Sequence, residues 1–158
     1  MSTAKTTIAK VIAPPPVLFF GALVAGILVD FFIYRRHMGL PDAWRLAASG
    51  AAIASGAALL FFAVSGFARA GTGVRHASGS SALVTTGAHG FTRNPMYLAM
   101  ALIYSGLALL ADSMIALLLL APLLLVIQFG VIAPEERFME ATYGEAYRAY
   151  RKRVRPWL

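Results

Sequence analysis

The chain has 158 residues, 59% of them hydrophobic and 13% charged, with a mean hydropathy of +0.70. Soluble domains are about 45–50% apolar; here the excess lies in long blocks, which points to a single integral membrane domain over 1–158 and excludes a separate soluble catalytic domain. The net charge of +7, from 14 Lys and Arg against 7 Asp and Glu, reads as basic flanks that orient membrane helices and meet anionic headgroups, so nucleic acid is not an expected partner.

No cysteine is present, which removes disulfides, thiolate nucleophiles and Cys-ligated metals. The N-terminal stretch MSTAKTTIAKVIAPPP lacks the charged, apolar and small-residue order of a cleaved leader, so the first apolar run is expected to remain as an anchor. That run is 17–33, preceded by Pro14, Pro15 and Pro16, which end any earlier helix and suit a first turn. Asp30 is its only charge. The second block, 44–68, is rich in Ala, Gly and Ser, the composition that lets helices approach closely in lipid. The third and fourth, 96–110 and 114–133, are separated only by Ala111, Asp112 and Ser113 and should form a tight antiparallel hairpin. Blocks one and three are short for a hydrocarbon core of about 30 Å and must draw on their flanks.

Between blocks two and three lies a loop, 69–94, long enough to be functional. After the fourth block, Pro134, Glu135 and Glu136 read as the first turn of a helix. The segment 135–152 mixes Tyr with Arg and Lys in an amphipathic pattern broken at Gly144, and Trp157 follows as an interface anchor. The expected fold is therefore all-α: about four transmembrane helices, a long cytoplasmic loop and a C-terminal interfacial helix. Charge gives the orientation. Lys5, Lys10, Arg69, Arg75, Arg93, Arg137, Arg148, Arg151, Lys152, Arg153 and Arg155 would share one side, against Arg35, Arg36 and Arg45 on the other. Both termini are thus expected in the cytoplasm, with the inner or plasma membrane as the location if the source is bacterial.

Three groups of residues have chemical potential. Glu135 and Glu136 sit at a membrane border, where they either favour the helix dipole or hold a cationic or polyhydroxyl ligand. In Arg93-Asn94-Pro95, Asn94 suits a cap and Pro95 a first helical position, while Arg93 can anchor to phosphate or bind an acidic group. His37, His76 and His89 show no metal-ligand spacing, so no metal is expected. No nucleophile elbow or dinucleotide fingerprint appears.

The turn Gly87-Ala88-His89 with Arg93-Asn94-Pro95-Met96-Tyr97, then a hairpin, then Glu135-Glu136-Arg137-Phe138, then a tyrosine-rich basic tail over 143–157, resembles one membrane superfamily. It is that of the isoprenylcysteine carboxyl methyltransferases and phospholipid N-methyltransferases, and the resemblance covers roughly 69–158. It implies a methyltransferase that uses S-adenosylmethionine on a lipidic or hydrophobic acceptor drawn from the membrane lipids. By that resemblance Gly87, His89, Arg93, Asn94, Tyr97, Glu135, Glu136, Tyr147 and Arg151 would form the cofactor site, with Arg93, Asn94 and Glu136 nearest the chemistry. Family members often carry Gly-Pro-Tyr where this chain has Gly87-Ala88-His89. Two other readings stand beside it: an NADPH-dependent membrane reductase of related architecture, and a non-enzymatic small membrane protein. The small-residue faces also permit a homodimer.

Overall fold

The computed structural model describes residues 12–34, 37–69, 71 and 83–158. Residues 70 and 72–82 of the loop 69–94, with Arg75 and His76, therefore lie outside the described residues, as do Lys5, Lys10, Arg35 and Arg36. The chain forms α1 (Pro15–Val29), α2 (Asp42–Arg69), a short α3 (Ala88–Phe91), α4 (Pro95–Leu110), α5 (Met114–Ile127), α6 (Ala133–Tyr143) and α7 (Glu145–Arg153). A π-helical turn, Asp30–Tyr34, extends α1, and a second, Gln128–Ile132, joins α5 to α6 without a break. The described residues contain no strand, and the all-α reading holds.

The spans Pro15–Tyr34, Asp42–Arg69 and Met114–Tyr143 are long and apolar enough to cross a membrane. The fourth, α4, has 16 residues and extends about 24 Å at 1.5 Å per residue, short of a full crossing without its flanks. Exposed Phe20, Phe31, Phe32, Phe61, Phe62 and Phe129 clothe the outside in hydrocarbon, the distribution expected where lipid is the solvent.

Small residues set the packing. An added Cβ at Gly106 would meet Ile53 Cγ1 at 2.6 Å and the Ser49 carbonyl oxygen at 2.9 Å, and one at Gly56 would meet the Ala99 carbonyl oxygen at 2.8 Å. α2 and α4 thus touch backbone to backbone, and the Ser49 hydroxyl donates to the Gly106 carbonyl at 2.7 Å. Gly26 plays the same part between α1 and α5, where its Cβ would meet Ala116 Cα at 2.5 Å. A core of Phe19, Leu23, Tyr104, Leu123, Ile127 and Val131 fills the space between α1, α4 and α5.

The end carrying the 111–113 turn is tied together by polar groups. Asp30 is buried, accepts from the Ser113 hydroxyl and takes the Ile115 amide at 2.8 Å. The sequence shows no partner for this charge within its own helix; the partner is the N-terminus of α5, whose unpaired amides and dipole favour an anion. Asp112, at a positive φ of 52°, takes the Met38 amide at 3.0 Å and pairs with His37 Nδ1 at 2.6 Å. Arg45 donates to the carbonyls of Leu109 and Leu110 at the C-terminus of α4. The turn is a junction of three helices as well as the hairpin bend.

Candidate active site

The opposite end holds the residues of the two motifs. Gly87 has φ 63°, in the region that favours glycine, and turns the chain into α3. Thr92 then extends the backbone and buries its side chain. Pro95 takes the first position of α4, where its missing N–H costs nothing. Asn94 stands in the cap position but does not cap with its side chain. Its Nδ2 donates to the Pro156 carbonyl at 2.8 Å, and the Thr92 hydroxyl donates to the same oxygen at 3.1 Å. The C-terminal tail, not the helix, has claimed the asparagine.

Arg93 completes this attachment. Its amide donates to the Arg155 carbonyl at 2.9 Å, and its Nη1 donates to the carbonyls of Arg151 and Val154 at 3.0 and 3.1 Å. Nη2 lies 2.8 Å from Glu136 Oε1, with the two side chains 9% and 18% exposed. One guanidinium therefore joins the turn before α4, the first turn of α6 and the tail after α7. Arg93 Nε is buried without a hydrogen bond among the described residues, whereas Glu136 Oε1 is buried against Arg93 Nη2.

The neighbouring acid is held differently. The Tyr97 hydroxyl lies 2.9 Å from both oxygens of Glu135. No Lys or Arg pairs with Glu135 among the described residues. Glu135 and Glu136 are adjacent in sequence, yet one faces a cation and the other a neutral phenol. The site carries one cation against two carboxylates.

The tail is a packed element. Tyr147, Tyr150 and Val154 form a second core with Met139, flanked by Leu83, Phe138 and Tyr143. Burial pushes the Tyr147 hydroxyl well above the ordinary phenol range and that of Tyr150 up to about 12. Both remain protonated, and the Tyr150 hydroxyl donates to the His89 carbonyl at 2.6 Å. Trp157, expected as an interface anchor, is half-buried and donates to Gln128 in the π turn at 2.8 Å.

The structure thus brings Arg93, Asn94, Tyr97, Glu135 and Glu136 to one place, with Tyr147 packed beneath and Arg151 contributing its carbonyl. The Arg151 side chain is exposed and pairs with Glu140 at 3.1 Å. Gly87 and His89 stand apart from that cluster. Gly87 lines a cavity of about 320 Å³ together with Phe62, Gly66, Arg69 and 83–86. His89 is buried, its ring edge-on to Phe67 of α2 at 4.8 Å. Sequence reading passed over Thr92, Gln128 and Pro156, which act through a hydroxyl, an amide and a carbonyl; no motif marks a backbone acceptor.

The family model for phospholipid methyltransferase matches residues 44–146. The chain belongs to the phospholipid methyltransferase family. None of the curated proteins and none of the solved structures matches it. As a member of that family with helices able to cross the bilayer, the chain is an integral membrane methyltransferase. The matched stretch takes in Gly87, His89, Arg93, Asn94, Tyr97, Glu135 and Glu136 and ends one residue before Tyr147.

Proposed function

We propose that this membrane methyltransferase uses S-adenosylmethionine and methylates a lipidic or hydrophobic acceptor that enters sideways from the bilayer. The observation that carries this reading is Glu135, a largely enclosed carboxylate held by the Tyr97 hydroxyl and paired with no cation among the described residues. Such a group attracts a cation. S-adenosylmethionine, when bound, supplies a methyl group already activated by a sulfonium leaving group. The residues present fit it: the cluster holds one cation against two carboxylates, and the buried Arg93 Nε, which has no hydrogen bond among the described residues, is a donor that a polar ligand completes.

Each residue then has a distinct task. Glu135 holds the positive charge of the cofactor, and Tyr97 orients Glu135. Arg93 and Asn94 are positioning residues that hold the tail against the site, and Glu136 keeps Arg93 in place. Tyr147 and Arg151 close the cytoplasmic side. Gly87 lines a separate cavity of about 320 Å³ and takes no part in holding the charge at Glu135. In-line alignment of acceptor and methyl is the main demand on the protein, which needs no nucleophile–base triad for this transfer. The site end carries Arg69, Arg93, Arg137 and the tail cations, whereas Arg45 is the described basic residue at the far end, and this asymmetry supports a cytoplasmic site with both termini on that side.

Calorimetry on the purified protein in detergent tests the proposal. S-adenosylmethionine and S-adenosylhomocysteine are expected to bind and NADPH is not. Glu135→Gln should weaken binding of S-adenosylmethionine by more than tenfold (about 1.4 kcal/mol). Failure of both sulfur ligands to bind, or binding of NADPH alone, overturns the reading.

A further inference from the structure

We infer that the C-terminal strap 148–157 is an anionic-lipid sensor: acidic phospholipid headgroups hold it down, and by holding it they assemble the Arg93–Asn94 wall of the site. The first half of this inference stands on the structure of the strap alone; the second half rests on the proposed cofactor site.

α7 is two-sided. Tyr147, Tyr150 and Val154 are turned inward, while Arg148, Arg151, Lys152, Arg153 and Arg155 are exposed. Two of these cations are answered within the protein: Arg148 pairs with Glu145 at 2.7 Å, and Arg151 pairs with Glu140 at 3.1 Å. Lys152, Arg153 and Arg155 have no acidic partner among the described residues. Three cations crowded into four positions repel one another, and no protein carboxylate offsets them among the described residues.

Their surroundings indicate what does. Trp157 donates to Gln128 in the π turn between α5 and α6, which ties the strap to the apolar helix Met114–Tyr143. Phe91 and Leu158, beside the strap's attachment, are 70% and 66% exposed. Bare apolar side chains next to unpaired cations match the border between hydrocarbon and headgroups, and the complementary partner is an anionic phospholipid.

The same residues grip the site. The carbonyls of Arg151, Val154, Arg155 and Pro156 accept from Arg93, Thr92 and Asn94. The cations belong to the peptide units on either side of these acceptors. Lifting the strap from the surface therefore removes the bonds that hold Arg93 beside Glu136. Each Lys or Arg near an anionic surface is worth roughly a fivefold change in occupancy, so three bias the strap by about tenfold or more after screening.

Hydrogen exchange on the full chain in vesicles is the test, with phosphatidylcholine alone compared with phosphatidylcholine containing roughly one-third phosphatidylglycerol. Amides of Arg93, 150–155 and Trp157 should exchange about tenfold more slowly in the anionic vesicles, and high salt should erase the difference. The triple variant K152Q/R153Q/R155Q should exchange alike in both, with Trp157 emission in phosphatidylcholine showing that it still folds. Equal exchange of the wild-type strap in the two lipids overturns the inference, as does a difference that survives high salt. Affinity for S-adenosylhomocysteine, measured in the same vesicles, should rise with anionic lipid. Absence of binding in both lipids, alongside a lipid-dependent strap, would sink the cofactor assignment and leave the sensor standing; binding that does not vary while the strap responds would refute the coupling.

Discussion

Arg93 and Glu136, 43 positions apart in the chain, meet at 2.8 Å in a partly buried ion pair at the proposed site. Arg93 spends its remaining donors on the carbonyls of the tail, so the pair acts as the fastening of three elements rather than as an isolated surface contact.

Removing one partner should therefore be costly. An uncompensated enclosed charge costs about 3–5 kcal/mol when its partner is deleted, and partial exposure places this pair toward the lower figure. Arg93→Ala and Glu136→Gln should each lower the thermal midpoint in detergent, and their double variant should lose less than the sum. Arg93→Lys keeps the charge but not the fork of donors, and should rescue only in part. Additive losses would show that the two side chains act independently.

Tyr97→Phe deletes the hydroxyl beside Glu135 and little else. A hydrogen bond to a charged group is worth about 1.5–3 kcal/mol. We expect weaker S-adenosylhomocysteine binding by about tenfold and a thermal midpoint lowered by roughly 3–10 °C. Unchanged affinity, read by calorimetry, would remove Tyr97 from the orientation of Glu135.

The α2–α4 contact predicts a contrast between glycines. Gly106→Ala would drive its Cβ into Ile53 Cγ1 at 2.6 Å and into the Ser49 carbonyl oxygen at 2.9 Å, whereas Gly50→Ala meets nothing within 4 Å. Overpacking costs about 1–3 kcal/mol, while Ala in place of an open helical Gly is favourable by roughly 0.5–1 kcal/mol. Thermal denaturation of the two variants should move in opposite directions. A neutral Gly106→Ala would mean that the helices separate easily.

At the far turn, the Met38 amide, and after it the His37 ring, hold the Asp112 carboxyl below its ordinary range. A carboxyl whose folded value is depressed adds stability that is complete above its unfolded value and is lost as pH falls through the folded one. The contribution should thus be present above about pH 4 and disappear below it. Asp112→Asn should flatten the acid limb of a thermal-stability profile while leaving the neutral plateau lower. Parallel acid limbs in wild type and variant would exclude Asp112 as the group responsible.

Much of the architecture was legible because the bilayer imposes it. Apolar blocks at 17–33, 44–68, 96–110 and 114–133 became helices near those bounds, since a backbone in hydrocarbon has few ways to satisfy itself. The fourth helix ran on through the acids of Glu135 and Glu136, because the π turn at Gln128–Ile132 and Pro134 in the first turn of α6 continue it without a stop. The break at Gly144 was also readable, and its φ of 53° explains it. The cap reading of Asn94 failed, because a local rule counts the nearest amides and cannot see a carbonyl 62 positions away.

Residue types and spacing alone determined that this chain is helical and membrane-spanning, that its cations gather at one end, and that two short motifs hold its polar chemistry. Tertiary structure decided how those motifs divide the work. Glu135 and Glu136 are indistinguishable in a sequence, but consecutive side chains on a helix point about 100° apart, and only packing determines that one meets Arg93 and the other Tyr97. It also decided that Asp30 belongs to α5 and that the tail is fastened by its own carbonyls. Carbonyl groups are identical at every position, so their use is set by where the chain is brought back upon itself.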